Sequence, residues 1–236
     1  MKDLCRVYLI DDYSEKDYFY LIDKFPWLDM VICRLDENGG PGIARNKGLD
    51  LVIEDNIPYI VFADADDCFG EYISLQVLLM EIQEADFVVS EFYEANEQVD
   101  LNRIKDCDVW LFGKMYKTEI IKNNNILFMP IPENEDVCFN LWYYLSCNTT
   151  HAVSNITYYW LFNKNSITRK NDYEYSNYCG IGLMKNLIPT YKAIFNNKNI
   201  SEEKILHSLA NRIIRAYLNY KKNCNLWDSE VEKKNL

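Results

Sequence analysis

The sequence is short of the residues that several common kinds of site require. It has only two histidines, and none of its eight cysteines forms a Cys-x-x-Cys pair, so a zinc site is not expected. Cysteines scattered through a chain of this length are typical of thiols in a reducing compartment. Lys and Arg number 25 against 36 Asp and Glu, which gives a net charge of −11. We therefore expect no nucleic-acid partner, because binding a phosphate backbone requires a basic surface.

Long apolar runs are missing as well. No stretch of the sequence reaches the roughly 20 apolar residues that a membrane-spanning helix needs, and the N-terminus has no signal-peptide pattern. These absences predict a cytoplasmic location, either free or at the inner face of the membrane. The 236 residues, 49% of them hydrophobic, suffice for one sizeable domain with an appendage.

What the sequence does contain is a short apolar run, Tyr59–Ala63, followed by the carboxylates of Asp64, Asp66 and Asp67. A continuous run rich in β-branched and aromatic residues is typical of a buried parallel strand, and open α/β sheets bind ligands at the carboxyl ends of such strands. Carboxylates crowded there repel each other unless a cation lies between them, and oxygen ligands suit Mg²⁺ or Mn²⁺. A solvated acidic turn would explain the same residues without a ligand.

Two further segments have a similar character. The run Arg6–Ile10 also ends in paired aspartates, Asp11 and Asp12. The stretch Asn38–Gly48 contains three glycines within four positions, which would let the backbone approach a ligand closely. The helix expected to follow would direct its N-terminus, together with Arg45, towards an anion.

Strand and helix patterns alternate between residues 6 and 90, which predicts an α/β fold with a mostly parallel sheet flanked by helices. Further along, Ile126–Phe128 reads as a small strand, and Glu135 and Asp136 open an amphipathic helix. Acidic residues are favoured in a first helical turn by the helix dipole, even without a catalytic role. The pattern from about residue 175 onwards is helical, and its aromatic and basic residues could face a membrane surface, a partner or the core.

Five motifs, taken in order, resemble those of the family 2 glycosyltransferases of the GT-A fold. The matching segments are Leu9–Ser14, Asn38–Gly48, Phe62–Asp67 (the Asp-x-Asp signature), Gly113–Lys117 with Glu135–Asp136, and Ser166–Thr168. The resemblance covers about residues 6–170. It implies a catalytic domain over residues 1–170 and a C-terminal helical extension over residues 171–236.

The resemblance also implies roles for particular residues. The positions that match nucleotide-binding residues of the family are Asp12, Asn38, Arg45 and Asp64. Asp64 and Asp66 match the pair that binds the donor's diphosphate through Mn²⁺ or Mg²⁺, and Asp136 matches the general base. The implied reaction is a metal-dependent, inverting transfer from a nucleoside-diphosphate sugar, with a UDP-sugar as the expected donor. The implied acceptor is a hydroxyl group of a saccharide, teichoic acid or glycolipid.

One departure from the family pattern keeps other hypotheses open. The family begins with another strand, whose Pro-x-Tyr-Asn-like turn packs against the nucleobase, whereas this sequence starts at the strand before Asp12. A non-catalytic nucleotide-binding or scaffold domain with the same fold is therefore a second hypothesis. A haloacid-dehalogenase-like phosphatase with Asp64 as nucleophile is a third. That third hypothesis expects Thr or Val where Cys68 stands, and it leaves the glycine-rich stretch unexplained.

Overall fold

The structure is a computed structural model that describes residues 5–105, 109–130, 134–164 and 186–227. Side chains of the last helix are described as far as residue 214. The chain divides into two compact units, Met1–Thr190 and Tyr191–Leu236.

The first unit begins with a small parallel sheet. Strand β1 (Arg6–Asp11) pairs with β2 (Asp29–Arg34), and the short helix α1 (Tyr20–Lys24) lies between them in the chain. The pairing places Asp11 opposite Arg34. Helix α2 (Pro41–Glu54) follows, with Pro at its start, where a missing backbone N–H is tolerated.

A larger, six-stranded sheet makes up most of this unit. Its strands are β3 (Tyr59–Ile60), β4 (Cys68–Phe69), β5 (Phe87–Ala95), β6 (Leu101–Ile104), β7 (Lys114–Lys117) and β8 (Thr150–Trp160). The strand order is β3-β7-β5-β8-β4, and β6 pairs with β5 outside this order. Beyond α2, the described part of this unit contains α3 (Ser74–Glu81), α4 (Thr118–Asn124), α5 (Glu135–Ser146) and the first residues, 186–190, of α6 (residues 186–195).

The α/β architecture with flanking helices matches the expectation, but the strand directions in the larger sheet do not. Only β5 and β8 run parallel, and the other four pairings are antiparallel. The expectation of a mostly parallel sheet is therefore wrong for this sheet. An apolar run has the same appearance in either direction, because direction depends on how the chain returns between strands.

The expected strand at Ile126–Phe128 does not form. The side chain of Asn46 donates to the carbonyl oxygen of Phe128 at 2.8 Å and accepts from its backbone N–H at 2.8 Å. A side chain on α2 therefore takes the place of a neighbouring strand, and it fixes the segment that leads towards α5.

An aromatic core lies between β3, β7 and α5. Phe128 stacks on Phe139 with a centroid separation of 4.1 Å, and Phe62 makes edge contacts with both rings at 5.4 and 5.6 Å. Such pairs contribute about 0.5–1.5 kcal/mol each beyond their burial. Phe62 lies two positions before Asp64, and Phe139 lies three positions after Asp136, so this core fixes the backbone on both sides of the candidate site.

The second unit contains the rest of α6 and the long helix α7 (Glu202–Trp227). Ser201 caps α7, and its side-chain oxygen accepts the backbone N–H of Lys204 at 3.3 Å. The aromatic and basic residues that could face a membrane lie mainly beyond the described side chains. Among the residues that the structure describes, no helix combines the length and the apolar character needed to cross a membrane.

Candidate active site

The acidic turn after β3 is held against the end of β8. Asp67 accepts hydrogen bonds from the Tyr158 hydroxyl at 3.0 Å and from the backbone N–H of Leu161 at 2.8 Å. The same hydroxyl accepts the backbone N–H of Asp64 at 2.9 Å. Burial raises the pKa of Asp67 to about 6 in spite of these hydrogen bonds. Asp67 therefore anchors the turn, and its oxygens point into the protein.

The other two carboxylates of the turn are more accessible. The side chain of Asp64 is 43% exposed, and exposed Asp66 accepts a hydrogen bond from Asn163 at 2.8 Å. No group of three or more His, Cys, Asp or Glu among the described residues is arranged to hold a metal. Mg²⁺ is commonly bound through one or two carboxylates together with substrate phosphates. The pair therefore fits a divalent ion that arrives with a diphosphate, and it does not form a metal site by itself.

Arg45 connects the acidic turn to helix α5. One terminal nitrogen, Nη2, lies 3.0 Å from Asp64 Oδ1, and the other, Nη1, lies 2.5 Å from Glu135 Oε1. The guanidinium also lies over the ring of Phe128, 5.6 Å from its centroid. Burial alone would lower the pKa of Arg45, but the two carboxylates outweigh it and raise the pKa.

The start of α2 is packed tightly, and this packing places Arg45. A Cβ added at Gly42 would lie 2.8 Å from the carbonyl oxygen of Met129, so only glycine allows the helix to approach this segment so closely. Gly40, immediately before the helix, has a φ of +81°, which glycine adopts without strain.

The glycine-rich loop is bound by Asp12. Its carboxylate accepts the backbone N–H groups of Gly39 and Gly40, both at 2.8 Å, while the side chain of Asn38 donates to the Asp12 carbonyl at 3.0 Å. Two of the residues predicted to bind nucleotide, Asp12 and Asn38, are thus brought together. A carboxylate has about four lone-pair positions, so these bonds leave capacity for a ligand.

Asp11 stabilises the turn after β1 from inside the protein. It is only 4% exposed, accepts the backbone N–H of Ser14 at 2.9 Å, and pairs with Arg34 at 3.3 Å. The pKa of Asp11 is lowered chiefly by the side-chain hydrogen bond of Ser14, and the Ser14 N–H and the charge of Arg34 add to this effect against burial. Asp11 thus has a structural role, whereas Asp12 faces the loop.

Asp136 lies in the first turn of α5, next to Glu135. Burial and, to a smaller extent, the neighbouring Glu135 raise its pKa to about 7, although the hydrogen bond from the Val137 N–H and the charge of Arg45 oppose the shift. A carboxyl group with a pKa near the working pH is well suited to accept a proton from a hydroxyl group.

Comparison with known families identifies the chain. The sequence profile of Glycosyl transferase family 2 matches residues 1–135, which is more than half of the chain. The chain belongs to this family. The predictions of a family 2 glycosyltransferase and of a glycosyltransferase enzyme are thereby confirmed, and the haloacid-dehalogenase-like hypothesis is set aside.

Solved structures show that this family 2 glycosyltransferase has the GT-A fold. S. aureus TarS 1–349 in complex with UDP-GlcNAc matches with a TM-score of 0.77 at 19% identity, covering 99% of this chain and 70% of that one. TarS 1–349 in complex with UDP matches with a TM-score of 0.71 at 18% identity, covering 99% and 69%. S. aureus TarS itself matches with a TM-score of 0.65 at 20% identity, covering 90% and 38%. No curated protein sequence matches the chain.

The site of this glycosyltransferase includes residues that its sequence does not reveal. Tyr158 and Asn163 hold the acidic turn, yet they follow it by 91 and 97 positions. The ion pair of Arg45 with Glu135 spans 90 positions. The sequence offers one weak signal, the density of aromatic residues in β8, and it does not single out Tyr158.

Proposed function

We propose that this chain transfers a sugar from a nucleoside-diphosphate donor to an acceptor hydroxyl, with inversion at the anomeric carbon and with the help of Mn²⁺ or Mg²⁺. One observation carries the proposal. Asp136, whose pKa is raised to about 7, is adjacent to Glu135, and Glu135 is joined through Arg45 to Asp64. The candidate base and the acidic turn proposed to bind the donor therefore belong to one connected site.

Each candidate residue has a distinct part in this proposal. Asp136 accepts the proton of the attacking hydroxyl group. Asp64 and Asp66 hold the divalent ion, which stabilises the negative charge on the leaving diphosphate when it is bound. Asp12 keeps the glycine-rich loop in place and, with Asn38, contributes to nucleotide binding.

The donor proposed first is a UDP-sugar, because UDP and UDP-GlcNAc are the ligands named for the TarS structures that share this fold. The acceptor class proposed is a saccharide, teichoic acid or glycolipid, as the family resemblance suggests. A cytoplasmic location, or one at the inner face of the membrane, is part of the same proposal, because both sugar donor and reducing conditions are found there.

One observation favours a second candidate, a binding or scaffold domain without turnover. The three carboxylates proposed for the donor each have an intramolecular partner already: the loop amides for Asp12, Arg45 for Asp64, and Asn163 for Asp66. A domain whose carboxylates are paired within the chain would keep its fold without catalysing transfer.

A panel of UDP-, GDP- and dTDP-sugars, with and without Mn²⁺, separates the candidates. One class of donor should raise the Tm of an active transferase, and it should do so only when Mn²⁺ is present. The enzyme should also hydrolyse that donor slowly and release the nucleoside diphosphate. A scaffold domain would bind without hydrolysis. Failure of every nucleoside diphosphate to bind with metal would overturn the proposed function.

A further inference from the structure

We propose that Glu135 is a positioning residue for the donor site: it fixes Arg45, and Arg45 in turn orients the carboxylate of Asp64. The inference rests on the proposed function, because it concerns the same site. It adds a residue that acts on the metal-binding carboxylate from a distance, through one intervening side chain.

The three side chains are fixed to different degrees. Side-chain exposure is 10% for Glu135, 21% for Arg45 and 43% for Asp64. The carboxylate that would hold the metal is thus the least confined of the three, and its ion pair with Arg45 is what restrains it at 3.0 Å. An arginine side chain has about 2 kcal/mol of rotamer entropy of its own, so it orients a partner only if it is itself held.

Glu135 provides that hold because its own backbone is fixed. It is the first residue of α5, and this helix is buried along the aromatic core through the stacking of Phe139 on Phe128. Arg45 also packs over the Phe128 ring. The two ends of the Glu135–Arg45 ion pair therefore belong to packed elements, whereas Asp64 lies on a turn after a two-residue strand.

A different role for Glu135 would give the opposite result. If Glu135 merely competed with the donor's diphosphate for Arg45, removal of its carboxylate would free a guanidinium group and remove a negative charge. Both changes would strengthen the binding of an anion. A positioning role requires weaker binding, because Asp64 then loses its fixed orientation.

The test is calorimetric titration of UDP in the presence of Mn²⁺, with wild type, Glu135→Ala, Arg45→Lys and the double variant. We expect each single substitution to weaken binding at least about threefold, and the double variant to bind no more weakly than Arg45→Lys, because residues that act through one contact are not additive. Glu135→Gln retains an oxygen that Arg45 can reach, so it should recover part of the loss; it also serves if Glu135→Ala does not fold.

The chain offers a matched control in Arg6. This arginine also bridges two carboxylates, Asp29 at 2.7 Å and Asp55 at 2.9 Å, but it lies at the opposite end of β1 from Asp12. Arg6→Lys should leave the affinity for UDP and Mn²⁺ unchanged.

Tighter binding in Glu135→Ala, or additive losses in the double variant, would overturn the inference. If wild type binds none of UDP, GDP and dTDP with Mn²⁺, the proposed function fails, and a measurement without ligand decides the inference separately. Nitrogen-15 relaxation of the Arg45 Nε–H group should show greater mobility in Glu135→Ala than in wild type or Arg6→Lys. An equally rigid Arg45 in all three would show that Glu135 does not position it.

Discussion

Replacing Asp136 by Asn should make the protein more stable above neutral pH while it stops sugar transfer. Burial and the neighbouring Glu135 raise the pKa of Asp136 from 3.8 to about 7. The unfolded carboxyl group ionises near its ordinary value, so folding keeps a proton that the unfolded chain has lost between about pH 4 and 7. The free energy of unfolding therefore falls through this range and levels off above it.

The size of the effect follows from the same two pKa values. With these two values, the raised pKa of Asp136 lowers the free energy of unfolding by about 4 kcal/mol at pH 8 and by about 1.5 kcal/mol at pH 5. Asn cannot ionise and avoids this cost. Urea unfolding of Asp136→Asn and wild type should therefore show a stability difference that grows by about 2–3 kcal/mol in favour of the variant between pH 5 and pH 8.

Asp86 provides a control of opposite sign. Burial raises its pKa, but hydrogen bonds from the backbone N–H groups of Asn148 and Thr149 and from Lys117 outweigh burial and lower it. Asp86→Asn should destabilise the protein at both pH values. A stability gain of Asp136→Asn that is equal at pH 5 and pH 8, or a loss at pH 8, would refute a buried carboxylate with a raised pKa.

Four other outcomes are expected. The acidic limb of wild-type kcat/KM against pH should have an apparent pKa near 7, because the base must be ionised to accept a proton. Asp66→Ala should abolish Mn²⁺-dependent UDP binding in calorimetry, whereas Asp136→Asn should retain it; a loss in both would contradict the division of roles. Tyr158→Phe should lower the free energy of urea unfolding by about 1–3 kcal/mol, because it removes the hydroxyl that holds the acidic turn. Gly42→Ala should lower the Tm, because its Cβ would lie 2.8 Å from a backbone oxygen; an unchanged Tm would show that α2 shifts at no cost.

Those parts of the candidate site that lie at the ends of apolar runs can be located from the sequence. Asp12 and the acidic turn at Asp64 each follow such a run, and the general rule that ligands bind at the carboxyl ends of strands suffices to place them. Helix α2 and the start of α5 at Glu135 also follow from local signals, a glycine-rich stretch in one case and acidic residues before an amphipathic pattern in the other.

Strand direction and long-range partners could not be predicted in this way. The pairing of β5 with β7 is antiparallel, and the sequence of a buried strand does not indicate its direction. The same limit applies to Arg45. Its charge and its place after a glycine loop suggest an anion ligand, but its partners come from residues 64 and 135, which only the folded chain brings together.

The acidic turn shows how three similar residues acquire different roles. Asp67 is held inward by Tyr158 and by the backbone of Leu161, with a pKa raised to about 6, so it stabilises the turn that presents the other two. One carboxylate oxygen of Asp64 forms an ion pair with Arg45, and Asp66 is exposed. Asp64 and Asp66 are thus the two carboxylates that we propose for a divalent ion, which is commonly bound through one or two carboxylates together with substrate phosphates.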